Sequence, residues 1–281
     1  MLGLLTSCSP ATPLNFLARG GDWAVSSDKY GHRMRNGIDV YTPARASRAP
    51  VIVFFYGGNW QSGDKGMYRF VAASLASRGY VTVVPDYRVY PEVRFAGFMQ
   101  DSALAVAWTK KNIKRFSGDP NRIFLMGHSA GAHIAAMLTL DSRWLGKVGL
   151  DPRHDIAGLI GVAGPYDFLP LHDEALKVIF SGGDIARTQP ITFVKGGEPP
   201  ALLVTGRKDE TVDPGNTARL AARLRAYGDD VTEVEYPSVG HMAIVGAFSP
   251  LLRPLAPVVN DVDKFVQARS RQLHARAMAE P

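Results

Sequence analysis

The pentapeptide Gly127-His128-Ser129-Ala130-Gly131 lies between the apolar run Ile123-Phe-Leu-Met126 and Ala132-His-Ile-Ala-Ala-Met-Leu138. The first run reads as a buried strand and the second as a helix, so the serine stands at a strand-to-helix turn. That context gives the G-x-S-x-G pattern its meaning. A turn this sharp needs small residues on either side of the serine, because side chains there would strike neighbouring elements. It lifts the hydroxyl above the sheet, and the free N–H groups and positive end of the following helix face the same spot. A serine hydroxyl is a poor nucleophile at neutral pH and needs a base, itself oriented by a third group.

On a strand–turn–helix scaffold of this kind the acid and then the histidine follow the serine in the chain. The histidines after Ser129 are His133, His154, His172, His241 and His274. His133 lies one helical turn past Ser129, where packing is the expected role. His154 and His172 precede any late strand-end acid, and His274 sits in a basic tail. His241, in Pro237-Ser-Val-Gly-His241, follows the last clear strand, where a base reaching over the sheet is expected. Two acids qualify as its partner. Asp209 and Asp213 both follow the strand Ala201 to Thr205. Asp209 is nearer the strand and is preferred. Asp213 precedes Pro214 and Gly215, where it would cap a helix. Upstream, Tyr56-Gly57-Gly58-Asn59-Trp60 follows an early strand, and its glycines would let backbone N–H groups approach a substrate oxygen.

These residues need a frame to hold them, and the periodicity supplies one. Strands are expected at 51–56, 80–84, 122–126, 156–162, 201–205 and 231–236. Helices are expected at 68–78, 98–116, 130–140, 217–227 and 260–273. The alternation implies right-handed crossovers and an α/β fold with a mostly parallel central sheet covered by helices on both faces. No composition break divides the chain. The expected organisation is an N-terminal segment, 1–30, and one domain, 31–281. Leu169 to Pro200 is the one stretch with room for a small lid.

Composition narrows the function classes. Of 281 residues 46% are apolar and 21% charged, which suits a large core and excludes a disordered chain. One cysteine, Cys8, excludes a disulfide framework and a cysteine-rich metal centre. No run reaches the about 18 apolar residues of a membrane-spanning helix. The net charge of +6 is scattered. Its densest stretch, Arg269 to Arg276, lacks the aromatic residues of a nucleic-acid groove and reads as a solvated terminal helix. Leu5-Thr6-Ser7-Cys8 resembles a lipoprotein processing box, yet Met1 to Ser7 is uncharged and shorter than a secretory signal. Two localisations stand: cytoplasmic as written, or a cell-envelope lipoprotein with a start upstream and a lipid on Cys8, the only route to a membrane considered.

The chain resembles the α/β-hydrolases of the bacterial acetyl esterase and carboxylesterase type, relatives of hormone-sensitive-lipase-like and formamidase-like esterases. The likeness runs from about Ile38 to Val266. It is carried by Tyr56-Gly-Gly-Asn-Trp60, Pro85-Asp-Tyr-Arg88 with Tyr90-Pro91, Asp101, Gly118-Asp-Pro120, Gly127 to Gly131, Gly206 to Val212 and Gly240-His241. The family's D-x-x-V spacing falls on Asp209 and Val212. The resemblance implies that Gly58, Asn59 and Ala130 donate to the oxyanion and that no metal or organic cofactor is needed; the family's larger cap is expected to be absent or much reduced here, because the part before Ile38 is short. There are two departures: Tyr56 replaces the family's leading histidine, and Asn59 its third glycine. Trp60, Tyr166, Phe168 and Met242 are candidate pocket walls, with ordinary core packing the alternative for each. The expected function is a serine carboxylesterase on a small ester of short acyl chain. An aryl formamidase or other amide hydrolase with the same residues is the alternative, and a non-catalytic binding protein on this fold a third.

Overall fold

The computed structural model describes residues 11–18 and 20–279; Cys8 and its processing-box residues lie outside the described residues. In chain order the elements are α1 (Ala11–Leu17), β1 (Trp23–Lys29), β2 (Gly37–Pro43), β3 (Ala49–Phe55), α2 (Arg69–Ala76), β4 (Val81–Pro85), α3 (Phe95–Asn112), β5 (Gly118–His128) and α4 (Ala130–Leu140). There follow α5 (Ser142–Gly146), α6 (Pro152–Asp155), β6 (Gly158–Val162), α7 (Glu174–Ile179), β7 (Ala201–Gly206), α8 (Gly215–Ala226), β8 (Val231–Tyr236), α9 (His241–Gly246) and α10 (Val258–Ala279).

The strands form one sheet of order β1-β2-β4-β3-β5-β6-β7-β8. β1 and β2 run antiparallel to their neighbours, and β4 through β8 are parallel. β4, β6 and β7 are buried along their whole length, as continuous Val/Leu/Ile runs require when helices cover both faces.

Two expectations need correction at the N-terminal end. The sheet begins at Trp23, ahead of the boundary expected at residue 31, and β2 adds a second strand that the apolar pattern did not indicate. β1 is Trp-Ala-Val-Ser-Ser-Asp-Lys, an edge strand exposed along nearly all its length, so burial imposes no apolar run on it. In β2 the run is broken by Asp39. Its buried carboxylate accepts from Ser27 Oγ of the neighbouring strand at 2.6 Å and from Lys65 Nζ at 2.8 Å.

The stretch 169–200 contains α7 and two short 3-10 turns, Ile185–Thr188 and Pro190–Phe193. This is a small cap, as expected. The basic C-terminal stretch lies in α10, where Arg271 and His274 are exposed, and no described helix is long and apolar enough to cross a membrane.

Parallel strands deliver their C-terminal ends to one side of the sheet. Ligands in open α/β folds bind there. β3 delivers the Gly57–Gly63 loop, β5 delivers Ser129, β7 the loop with Asp209, and β8 the loop that leads to His241. Phe55 pairs with Gly127 in register, so the glycine loop leaves the sheet beside the serine.

Candidate active site

Ser129 joins β5 to α4 with φ 56 and ψ −125, a conformation that costs a non-glycine residue energy and persists only where its surroundings impose it. They do so here. Ser129 N–H donates to the Val162 carbonyl at 3.0 Å, and the Ser129 carbonyl accepts from Ala132 and His133. The flanking glycines are steric necessities. A Cβ on Gly127 would lie 2.1 Å from the Gly131 carbonyl oxygen, and one on Gly131 would lie 2.0 Å from that of Phe55.

His241 opens α9 and is buried, as is Asp209. His241 Nδ1 and Asp209 Oδ2 are 2.7 Å apart, so the carboxylate accepts a hydrogen bond from Nδ1–H, which keeps the proton on Nδ1 and leaves Nε2 as the basic nitrogen. Asp209 Oδ1 accepts from the N–H groups of Thr211 and Val212 at 2.9 and 2.8 Å. Burial alone would raise the Asp209 pKa. The His241 hydrogen bond and those two N–H groups outweigh it, and the pKa falls below the ordinary carboxylate value. Asp213 is the other kind of aspartate. Its carboxylate accepts from Gly215 N–H at the start of α8 and from Arg219, and its side chain is 65% exposed.

Ser129 and His241 line one cavity of about 1130 Å³, together with Gly58, Asn59, Trp60, Phe168 and Met242. Gly58, Asn59 and Trp60 all have positive φ. The turn closes through Gln61 and Ser62 N–H groups bonding the Gly58 carbonyl, each at 3.0 Å. Ala130 is the first residue of α4, where a helix leaves its N–H unused by its own ladder. Gly58 and Asn59 line the cavity with Ser129, and Ala130 follows the serine in the chain.

Trp60 stacks on Phe168 at 5.8 Å and meets His133 and Phe180 edge to face, so the cavity has one aromatic wall. Met242 stands at the rim, 62% exposed. Tyr166 is not part of the wall. It is fully buried, with its hydroxyl packed against Gly161 of β6 and Gly164, because those glycines leave room for the ring over the sheet. His133 packs as expected: fully buried, it bonds the Thr188 carbonyl at 2.8 Å, and burial lowers its pKa to about 4. No group of three or more metal-ligating residues is found among the described residues.

The residues that hold the glycine loop were assigned no role from the sequence. The Tyr56 hydroxyl donates to Asp86 Oδ1 at 3.0 Å and accepts from Arg35 Nη2 at 3.2 Å. Arg35 also donates to the carbonyls of Tyr87 and Gly63, and Asp86 accepts from Lys65 N–H at 2.8 Å. The Tyr56 ring lies between those of Tyr87 and Tyr68, at 4.5 and 5.9 Å. Tyr56 therefore braces both ends of the loop from below, in the place where the resembling esterases carry a histidine. The Pro85-Asp-Tyr-Arg88 motif could have pointed to Asp86, but nothing in the pattern singles out Arg35.

With this geometry in view, the comparisons with known proteins converge. The family model BD-FAE matches residues 38–224. The chain belongs to the BD-FAE family of α/β-hydrolase esterases. The isoprenylcysteine alpha-carbonyl methylesterase of Arabidopsis thaliana is 28% identical over 75% of this chain and 55% of its own length. Esterase LipC of Mycobacterium tuberculosis is 29% identical over 69% of this chain and 53% of its own length. The chain thus spans about half the length of these curated relatives. Among solved structures, Esterase B from Lactobacillus rhamnosis superposes with TM-score 0.78 at 21% identity, covering 92% of this chain and 91% of its own. Esterase 2 of Thermogutta terrifontis, solved with butyrate bound, gives 0.73 at 23% identity over 87% of this chain and 94% of its own. At these identities the likeness is one of fold, and this BD-FAE chain shares it nearly end to end.

Proposed function

We propose that this BD-FAE chain is a serine carboxylesterase that hydrolyses short-chain esters through an acyl-enzyme. The observation that carries the reading is the pairing of a strained Ser129 elbow with an Asp209-held His241 on one cavity. In the proposed reaction Ser129 Oγ attacks the ester carbonyl carbon while His241 Nε2 takes its proton. Gly58, Asn59 and Ala130 N–H groups receive the negative charge that develops on the carbonyl oxygen, each donor contributing roughly 3–4 kcal/mol in the transition state. His241 then gives its proton to the leaving alkoxide. Water, activated by the same imidazole, attacks the acyl-serine and releases the acid. The Asp209 carboxylate stays ionised throughout and stabilises the imidazolium.

The short-chain assignment rests on where the apolar wall ends. Trp60, Phe168 and Leu176 share the cavity with Asp167, Asp173, Asp213 and Arg219, so a long acyl chain would leave the aromatic surface for a charged rim. Butyrate bound to the Thermogutta terrifontis esterase agrees with an acid of that size on this fold. A panel of p-nitrophenyl esters of rising chain length, beside an aryl formamide, tests the proposal. Turnover of the short esters exceeding that of the formamide is expected, and a faster formamide would move the assignment to amide hydrolysis.

A further inference from the structure

The elbow residue that precedes the serine has no part in the reaction just described, yet it is a buried titratable group in contact with it. His128 ends β5, is 1% exposed, and its ring centroid lies 4.7 Å from that of His241. Its Nε2 is 3.2 Å from the main-chain carbonyl oxygen of His241. Its Nδ1 has no hydrogen-bond partner, and a Cβ on Gly57 would lie 3.2 Å from it. His128 thus packs between the proposed nucleophile, the glycine loop and the proposed base.

The geometry points to His128 as a positioning residue: its neutral ring donates from Nε2 to the His241 carbonyl and fixes the base against the elbow. The inference rests on the reading of Ser129 and His241 given above. A carbonyl only accepts, so the bond places the single proton of the neutral imidazole on Nε2 and leaves Nδ1 bare. Asp209 already sets the rotation of the His241 ring through Nδ1. That contact does not set where the His241 backbone sits relative to β5. His128 supplies the second anchor, and because it is bonded covalently to Ser129 it ties the base to the serine through one side chain. A displacement of about 1 Å in such a pair costs on the order of 100-fold in rate.

Neutrality is part of the role. A cation at His128 would oppose formation of the His241 imidazolium during turnover. Burial, with the neighbouring His241 charge adding to it, brings the His128 pKa down to about 3, against weaker opposing pulls from the His241 carbonyl and Asp209. The ring therefore stays uncharged while His241 gains and loses its proton.

The test compares His128→Leu, His128→Gln and His128→Asn on a short p-nitrophenyl ester, with melting temperatures recorded alongside. Gln reaches the Nε2 position with an amide N–H; Asn reaches only the Nδ1 position. For Leu, kcat should fall about 10- to 100-fold with KM within about twofold, and Gln should restore kcat to within about threefold of wild type. Asn should resemble Leu. If the Leu variant does not fold, Gln against Asn decides by the same criterion. Leu within twofold of wild type, or Gln as slow as Asn, overturns the inference. Ser129→Ala separates the two levels. If it still turns over, the reading of the site falls and the inference with it. If it is inactive while the His128 variants all match wild type, only the inference falls.

Discussion

Asp209 and Asp213 belong to one loop but to opposite environments. Asp209 is sealed against His241 and two backbone N–H groups; Asp213 serves the first turn of α8 and meets solvent. Asp209→Asn should lower kcat by on the order of 10²–10⁴-fold, because an amide can present its N–H to Nδ1 and hold the wrong imidazole tautomer. Asp213→Asn should change kcat less than about threefold, since it loses only an exposed ion pair and part of a turn. Steady-state kinetics of the two variants check this, and the reverse ranking would show that Asp213 is the acid. Ser129, Asp209 and His241 were legible in the sequence because strand–turn–helix context and chain order restrict where such residues can work. His128 and Arg35 were not, because their contacts cross between strand ends far apart in the chain. Tyr166 misled for a related reason. Its place after β6 suits a pocket wall, and only the paired glycines at 161 and 164 turn the ring back over the sheet.

At the scale of elements, the question is how loops that carry backbone donors stay rigid. The Tyr56 hydroxyl accepts from one charged donor and donates a hydrogen bond to Asp86, so Tyr56→Phe leaves the Arg35 contact unmade. That variant should lose about 1–3 kcal/mol of stability and several-fold in kcat, with KM for a small ester nearly unchanged; denaturant melts and kinetics measure both. The small cap and the Tyr166, Asp167 and Phe168 backbone that leads into it are fastened in the same manner. Asn216 Oδ1 accepts from the N–H groups of Tyr166 and Asp167, Gln189 Oε1 from that of Phe168, and His133 holds the Thr188 carbonyl. A segment anchored by three buried side chains is not built to swing open. An acyl chain gains about 0.8 kcal/mol for each methylene it buries, and here the apolar wall gives way to a charged rim. The ratio kcat/KM, measured below the micelle threshold, should peak between acetyl and butyryl esters without a jump on emulsified substrate. An optimum at decanoyl or longer, or such a jump, would mean that the cap moves.

At the scale of the whole molecule, the sheet order places every chemical residue at the C-terminal ends of parallel strands, and the same burial that builds the site shapes its response to acid. His133 is neutral inside the fold, its pKa lowered by burial from 6.5 to about 4. Between those values the unfolded chain binds a proton that the folded chain does not, so stability present above pH 6.5 is lost as pH falls toward 4. His133→Gln removes that proton while keeping a donor for the Thr188 carbonyl. Urea unfolding between pH 6 and 4.5 should then show a slope shallower than wild type by about 1.4 kcal/mol per pH unit, and an unchanged slope would contradict a neutral buried His133. The parallel centre of the sheet was legible because both of its faces are buried and demand apolar runs. The first two strands were not, because β1 is an exposed edge and β2 carries the paired Asp39. Ser129 is the residue proposed to be acylated during turnover. A tagged fluorophosphonate followed by peptide mass spectrometry tests it most directly. One equivalent per chain on Ser129, loss of esterase activity in step with labelling, and neither label nor turnover in Ser129→Ala are the predicted results; a label on any other residue, or ester hydrolysis surviving in Ser129→Ala, would contradict it.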